Sequence, residues 1–230
     1  VGLIVRFEIS DLRMYTVFMV ISYLGGQSFK LQFGDIVIAY NPISKNSKLK
    51  STSYGSDIAL VSLNHPDMNG LENASRGDKL PFAIHGPGEY EINGVFIHAF
   101  PSKSKYGGKD RINTIYNVSL ENMNLCFLGA LSTTELSKEV LEEIEEIDIL
   151  FVPIDGEDVL SAAEAYKLAI SLEPKLIVPM YTTTDGKSKA LETFLKEAGE
   201  GSPEKHDKLT IKKKDLEGKQ ANLVVFNPLV

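Results

Sequence analysis

Short apolar runs rich in β-branched residues fill the first half of the chain, and each is cut off by Gly, Pro, Asn or Ser. Runs of this kind read as strands. They fall at Gly2 to Ile9, closed by a turn at Ser10-Asp11, then at Val17 to Leu24, Phe29 to Phe33 and Ile36 to Ala39. Gly25-Gly26-Gln27 joins two of them, and Phe33-Gly34-Asp35 makes a hairpin turn. Asn41 to Tyr54 is rich in Ser, Lys and Asn without periodicity, which predicts a surface loop. Asp57 to Ser62 reads as a buried strand and Pro81 to Ile84 as a short one. Glu89 to Phe100 is a hairpin about Asn93-Gly94. After a polar loop at Lys103 to Lys109, Asn113 to Ser119 and Asn124 to Leu128 form another hairpin across Glu121-Asn122.

The second half changes character. Ser132-Thr-Thr-Glu135 has the spacing of a capping box and predicts a helix to about Glu146. Ser161 to Leu172 and Lys187 to Ala198 are further helices. Strands are expected at Ile149 to Val152, Lys175 to Val178, Leu209 to Lys213 and Asn222 to Phe226. No internal repeat or dividing linker is evident. Strands first, with helices interleaved later, predict two sheets packed face to face with helices outside.

A net charge of -7 argues against a nucleic-acid surface. The one basic run, Lys212-Lys213-Lys214, reads as a solvated edge. The single cysteine, Cys126, lies in the apolar run Leu125-Cys-Phe-Leu128; it suits a reducing compartment and reads as a packed residue rather than a nucleophile. No apolar stretch reaches the ~20 residues of a membrane span. The start Val1-Gly-Leu-Ile-Val5 does not read as a signal peptide. A cytoplasmic protein with no membrane partner is expected.

The chemistry centres on Leu60 to Gly70, where the buried strand runs into His65-Pro66-Asp67. A strand tip carrying His and Asp is a common way to present metal ligands or a general base. This stretch resembles the metal-binding loop of the metallo-β-lactamase superfamily, a strand followed by His-x-His-x-Asp-His. Other stretches resemble the small, lactonase-like branch of metal-dependent hydrolases in the same order. They are Ile21-Ser-Tyr-Leu-Gly25 with Ser28-Phe29, Gly86-Pro-Gly-Glu-Tyr-Glu91 with Asn93-Gly94-Val95, Gly107-Gly108 with Arg111 and Asn113-Thr-Ile-Tyr116, Glu173-Pro-Lys175 through Pro179-Met180, and Leu209 to Asp215. The resemblance runs from about Met19 to Phe226. It implies a four-layer αβ/βα sandwich, an α/β fold of metallo-β-lactamase type, over residues 19–230. Residues 1–18 lie outside it, as an added strand or an upstream start.

The same resemblance implies one or two metal ions, typically zinc or manganese, with a bound water as nucleophile. Carried over position by position, most ligands are replaced. The family's ligand positions fall on Gly26, Ala39, Leu63, His65, Asp67, Met68, Ala130 and Tyr181, with a further histidine near Lys103 or Ser104. His65 and Asp67 alone keep the expected types, too few for a zinc site of three or four protein ligands. In the loop, Asp67 is expected to accept backbone N–H bonds, His65 to donate to a carbonyl, and the Tyr181 hydroxyl to reach Asp67 or His65. His85, His98 and His206 read as surface or semi-buried histidines.

The expectation is a non-catalytic protein without metal, acting as a binding or self-assembling module with a homo-oligomeric or other protein partner. Two alternatives stand beside it. One is a hydrolase of lactones or phosphorylated small molecules, with substitute ligands from His85, His98, Asp110 or Asp155. The other is a metal-free small-molecule binder with a pocket lined by Lys103, Arg111 and Tyr181.

Overall fold

Residues 18–144, 146–183 and 187–229 are described by the computed structural model. The expected strand at Gly2 to Ile9 and its turn lie outside them. The first three strands, β1 (Met19–Gly25), β2 (Ser28–Phe33) and β3 (Ile36–Tyr40), form an antiparallel meander. A long connection leads to β4 (Ile58–Leu60), and a second, containing a 3-10 turn at Leu71–Asn73, to β5 (Phe82–Ile84). The chain then crosses to the other sheet as β6 (Gly88–Ile92), β7 (Val95–Ser104), β8 (Arg111–Leu120) and β9 (Met123–Phe127). Its hairpin turns fit the sequence: Asn93 and Gly94, then Glu121 and Asn122, hold the paired positive φ of a two-residue turn.

From β9 the topology becomes parallel. Helix α1 (Lys138–Glu143) leads to β10 (Ile149–Pro153), α2 (Ala162–Ser171) to β11 (Leu176–Met180), and α3 (Lys189–Glu197) to the closing segments. These are β12 (Lys205–His206), β13 (Lys208–Ile211), a 3-10 turn at Lys213–Leu216, β14 (Asn222–Leu223) and β15 (Val225–Phe226). The sheets run β13-β1-β2-β3-β4-β5 and β14-β11-β10-β9-β8-β7-β6, with β12 and β15 as a separate pair.

Tyr23, Phe29, Tyr40, Phe127 and Phe151 pack between the sheets with ring centroids 4.6–5.9 Å apart for adjacent pairs. Tyr116 ties one sheet to the other: its hydroxyl, on β8, lies 2.8 Å from the Val61 carbonyl and 2.9 Å from that of Ile84. Cys126 is fully buried, and burial pushes its thiol pKa up to about 12, consistent with a packed residue.

The structure corrects several expectations. The helix expected from Ser132 begins at Lys138, capped by Ser137, whose hydroxyl accepts the Val140 N–H. Ser132 is held back because its N–H donates to the Lys103 carbonyl at 3.2 Å. The full capping box belongs to Ser161 and Glu164. The loop expected at the surface from Asn41 starts buried, with Asn41 through Ser44 all enclosed. The strand expected to end at Lys213 stops at Ile211, and the strand expected over Asn222 to Phe226 is two short pieces serving different partners.

The basic run also departs from expectation. Lys213 does not sit on a solvated edge; its ammonium lies 2.7 Å from Oδ2 of Asp148, while Lys175 meets Oδ1 at the same distance. Asp148 is 0% exposed and also accepts the Asn124 N–H at 2.8 Å. Burial alone would raise its pKa, but the two lysines and that N–H outweigh it and hold the carboxyl below its ordinary range. Through this carboxylate the closing 3-10 turn beyond β13 is pinned to the second sheet.

A carboxyl with a depressed folded-state pKa stabilises the protein fully above its unfolded value of about 4, and the contribution fades as pH falls through the folded value. Asp148→Ala should therefore cost about 3 kcal/mol at pH 7, the low end for a broken buried pair because both lysines can turn to water. The difference from the parent should shrink as pH falls below about 4. Urea unfolding of both chains across pH checks this, and a pH-independent difference would rule out the ionic account.

Candidate functional site

Loops leaving β4, β7, β10 and β11 enclose a cleft of about 660 Å³. His65 and Asp67 form one wall, Tyr106 and Gly107 a second, Asp155 to Val159 a third, and Thr182 with residues 187–190 the last. Two glycines, in the connections that follow β4 and β9, cannot be replaced without moving their neighbours. A Cβ on Gly70 would stand 2.3 Å from the Ser44 nitrogen. One on Gly129, whose φ is +60°, would stand 2.5 Å from Asn113 Oδ1.

Beneath the cleft, Leu63, Met68, Ala130 and Val159 form their own buried apolar cluster, with the half-buried Tyr106 packed against it. Above it lies Asp67. Its Oδ1 accepts the Ser47 hydroxyl at 2.5 Å and its Oδ2 accepts the Tyr106 hydroxyl at 2.8 Å. The Tyr106 hydroxyl is held protonated by burial first and then by its bond to Asp67. His65 stands edge-on to the Tyr106 ring, centroids 5.0 Å apart. His65 Nδ1 accepts the Asp67 N–H at 3.2 Å. The same Nδ1 stands 3.4 Å from Asp67 Oδ2, so the two residues close the turn on each other.

The other two carboxylates in the wall are also engaged. Asp158 Oδ2 accepts the N–H groups of Gly107 and Gly108 at 3.0 and 3.1 Å. Asp155 accepts the Thr182 N–H, and burial of its carboxyl group lifts its pKa against that bond. A frame of buried amides holds the loops from below. Asn41 and Ser62 exchange two hydrogen bonds of 2.8 and 2.9 Å, while Asn113 bonds Ala130 N–H, the Leu128 carbonyl and Ser102 Oγ.

Comparison with known proteins gives this arrangement a family. The Beta-lactamase superfamily domain matches residues 20–181. A Thermotoga maritima protein named as a Zn-dependent hydrolase of the metallo-β-lactamase superfamily is 26% identical, with a TM-score of 0.70 over 90% of this chain and 98% of its own. The chain belongs to the metallo-β-lactamase superfamily. Igni18, a metallo hydrolase from Ignicoccus hospitalis, shares the fold at 17% identity and TM-score 0.63, over 92% of this chain and 96% of its own. A Parabacteroides distasonis protein named as a metal-dependent hydrolase does so at 18% and 0.61, over 92% and 94%.

Within this metallo-β-lactamase fold, the carried-over ligand positions separate into groups. Leu63, Met68 and Ala130 meet in one cluster, joined to Asp67 through Tyr106, which packs on the cluster and bonds the carboxylate. Ala39 packs instead with Ala59 and Ala74 in another patch, and the Gly26 carbonyl accepts the Tyr23 hydroxyl. Tyr181 is buried, and its hydroxyl donates to the Phe226 carbonyl at 2.5 Å rather than to Asp67 or His65. Burial pushes its pKa up to about 12. The residue that satisfies Asp67 is Tyr106, together with Ser47, and neither stands out in the sequence. The one signal is a lone aromatic in the polar run Lys105-Tyr-Gly-Gly108. The backbone N–H acceptance expected of Asp67 falls to Asp155 and Asp158 instead.

Among the described residues, the carried-over positions do not make up a site for zinc or manganese. Such a site takes three or four N, O or S donors at about 2.0–2.3 Å. Leu63 and Ala130 have none, and the Met68 sulfur lies 3.7 Å from the Ser62 hydroxyl. Among the described residues, no group of three or more His, Cys, Asp or Glu is placed to hold a metal ion. Of the four substitutes, Asp155 reaches the cleft; His85 and Asp110 are exposed, and His98 sits 3.4 Å from Glu143. Lys103 is exposed while Ser104 faces inward, so neither brings a charge to the cleft. His206 is half-buried, its ring 6.5 Å from that of Phe226.

Tyr106→Phe should destabilise the chain by about 1.5 kcal/mol, the low end for a hydrogen bond to a charged group. Ser47→Ala should cost a similar amount, and the double variant more than the sum, since both donors serve one carboxylate. Chemical denaturation of the set checks this. An unchanged Tyr106→Phe variant would mean that water replaces the hydroxyl.

Proposed function

We propose that this chain is a non-catalytic member of the superfamily that works without metal, as a binding or self-assembling module. The observation that carries the reading is the packing of Leu63, Met68 and Ala130 against Val159 and Tyr106, at the place where the family resemblance puts metal ligands. Asp67, the carboxylate left beside them, is already engaged by two hydroxyl donors. A cytoplasmic setting belongs to the same reading and is supported by the unpaired, buried Cys126.

A second reading is favoured by the cleft itself. Its volume of about 660 Å³ suits a small molecule. Its walls differ from the expected Lys103, Arg111 and Tyr181: the polar groups that face it include His65, Asp155 and Lys187. In that reading the cleft is kept as a metal-free binding site.

Incubation with zinc and with manganese, followed by dialysis and elemental analysis, tests the proposal. No stoichiometric metal is expected in the parent chain. The triple variant Leu63→His, Met68→His, Ala130→Asp should retain zinc if it folds, because the three positions converge. Stoichiometric metal in the parent would overturn the reading in favour of a hydrolase with substitute ligands.

A further inference from the structure

The charges of this acidic molecule are unevenly sorted. Segments 45–50 and 103–111 meet on the Asp67 carboxylate through Ser47 and Tyr106, which fixes them side by side. Lys45 is partly compensated by Glu72. The remaining cations of the two segments are Lys48, Lys50, Lys103, Lys105, Lys109 and Arg111, against Asp110 within them and Asp158 bound to Gly107 and Gly108, in a chain of net charge -7. Among the described residues, none of these six enters an ion pair. Beside Arg111, and opposite Lys103 in the strand register, Ile112 is 73% exposed. An exposed apolar side chain flanked by Arg111 and Lys103 is poorly served by water and well served by an acidic partner with an apolar centre.

The loops offer no aromatic platform for bases, since the one ring, Tyr106, is fixed by Asp67 and His65. The complementary surface is on the chain itself. Around α1, Glu135, Glu139, Glu142, Glu143 and Glu146 stand exposed against Lys138, with Leu141 46% exposed among them. Within one copy Lys103 and Glu135 line one small cavity without forming an ion pair, while Glu142 pairs with Lys138 and Glu143 with His98. We propose that the basic patch that carries Ile112 docks on the acidic α1 surface of a second copy of this chain, with Ile112 and Leu141 as the apolar centres. The proposal rests on the self-assembling form of the functional reading. It gives a closed two-fold dimer if both contacts form in one pair, and an open chain of copies if they do not.

Sedimentation velocity of the full chain at about 30 mM and about 500 mM salt tests it, with metal content measured on the same sample. Association is expected at low salt, weakened more than about tenfold at high salt. Lys105→Glu with Lys109→Glu should abolish it, as should Glu139→Lys with Glu142→Lys, with circular dichroism confirming that both variants fold. Mixing the two variants should restore association, because the signs match again across copies. A chain monomeric at both salts, an oligomer that neither pair moves, or a mixture that stays monomeric overturns the proposal. Metal in the sample overturns the non-catalytic reading and leaves the association result standing.

Discussion

Where the strands of a sheet end, their backbone N–H and C=O groups lose ladder partners, and buried ones must find others. At the cleft end of this sandwich two asparagines meet that requirement. Asn41 takes the Ser62 N–H and returns its amide to the Ser62 hydroxyl, while Asn113 takes the Ala130 N–H and donates to the Leu128 carbonyl. Both are 0% exposed. The loops carrying His65, Asp67 and Ala130 are therefore positioned by amide bonds from beneath. These contacts are all between protein groups, so the amide frame itself uses no ion.

That independence makes sense of what lies over the frame. In a metal site the ion supplies the attraction that lets several carboxylates and imidazoles converge. Here convergence is of another kind, apolar side chains below and one carboxylate above, each satisfied by neighbours. Asp67 is the informative residue, because a carboxylate half out of water needs donors. It has two, from loops on either side, and so joins Ser47 to Tyr106 where an ion would join ligands.

The strands and their hairpins are legible in the sequence because alternation and Asn-Gly turns act locally. So is the apolar character shared by Leu63, Met68 and Ala130, although only the structure shows that they touch. What escapes is long-range. The cap at Ser137 rather than Ser132 is decided by the Lys103 carbonyl, distant in sequence. Lys213 reads like any solvated lysine until Asp148 stands beside it. Tyr181 sits at a ligand position in the family resemblance, but its ring packs on Tyr23 and its hydroxyl goes to the Phe226 carbonyl. Tyr106 in a polar loop carries no periodic signal, and its role exists only because that loop folds back over Asp67.

Magnitudes indicate why the replaced positions are apolar together rather than singly. Burying Leu63 and Met68 is worth roughly 1.5–3 kcal/mol each, well short of the 10–16 kcal/mol of a structural zinc site. An aspartate in place of Ala130 would bring a second carboxylate close to Asp67, and two like charges 4 Å apart repel by about 4 kcal/mol at an effective dielectric near 20. An imidazole in place of Leu63 or Met68 would carry two polar nitrogens into an apolar cluster, where each needs a partner. With all three positions apolar, one carboxylate is left to satisfy, and Ser47 and Tyr106 satisfy it.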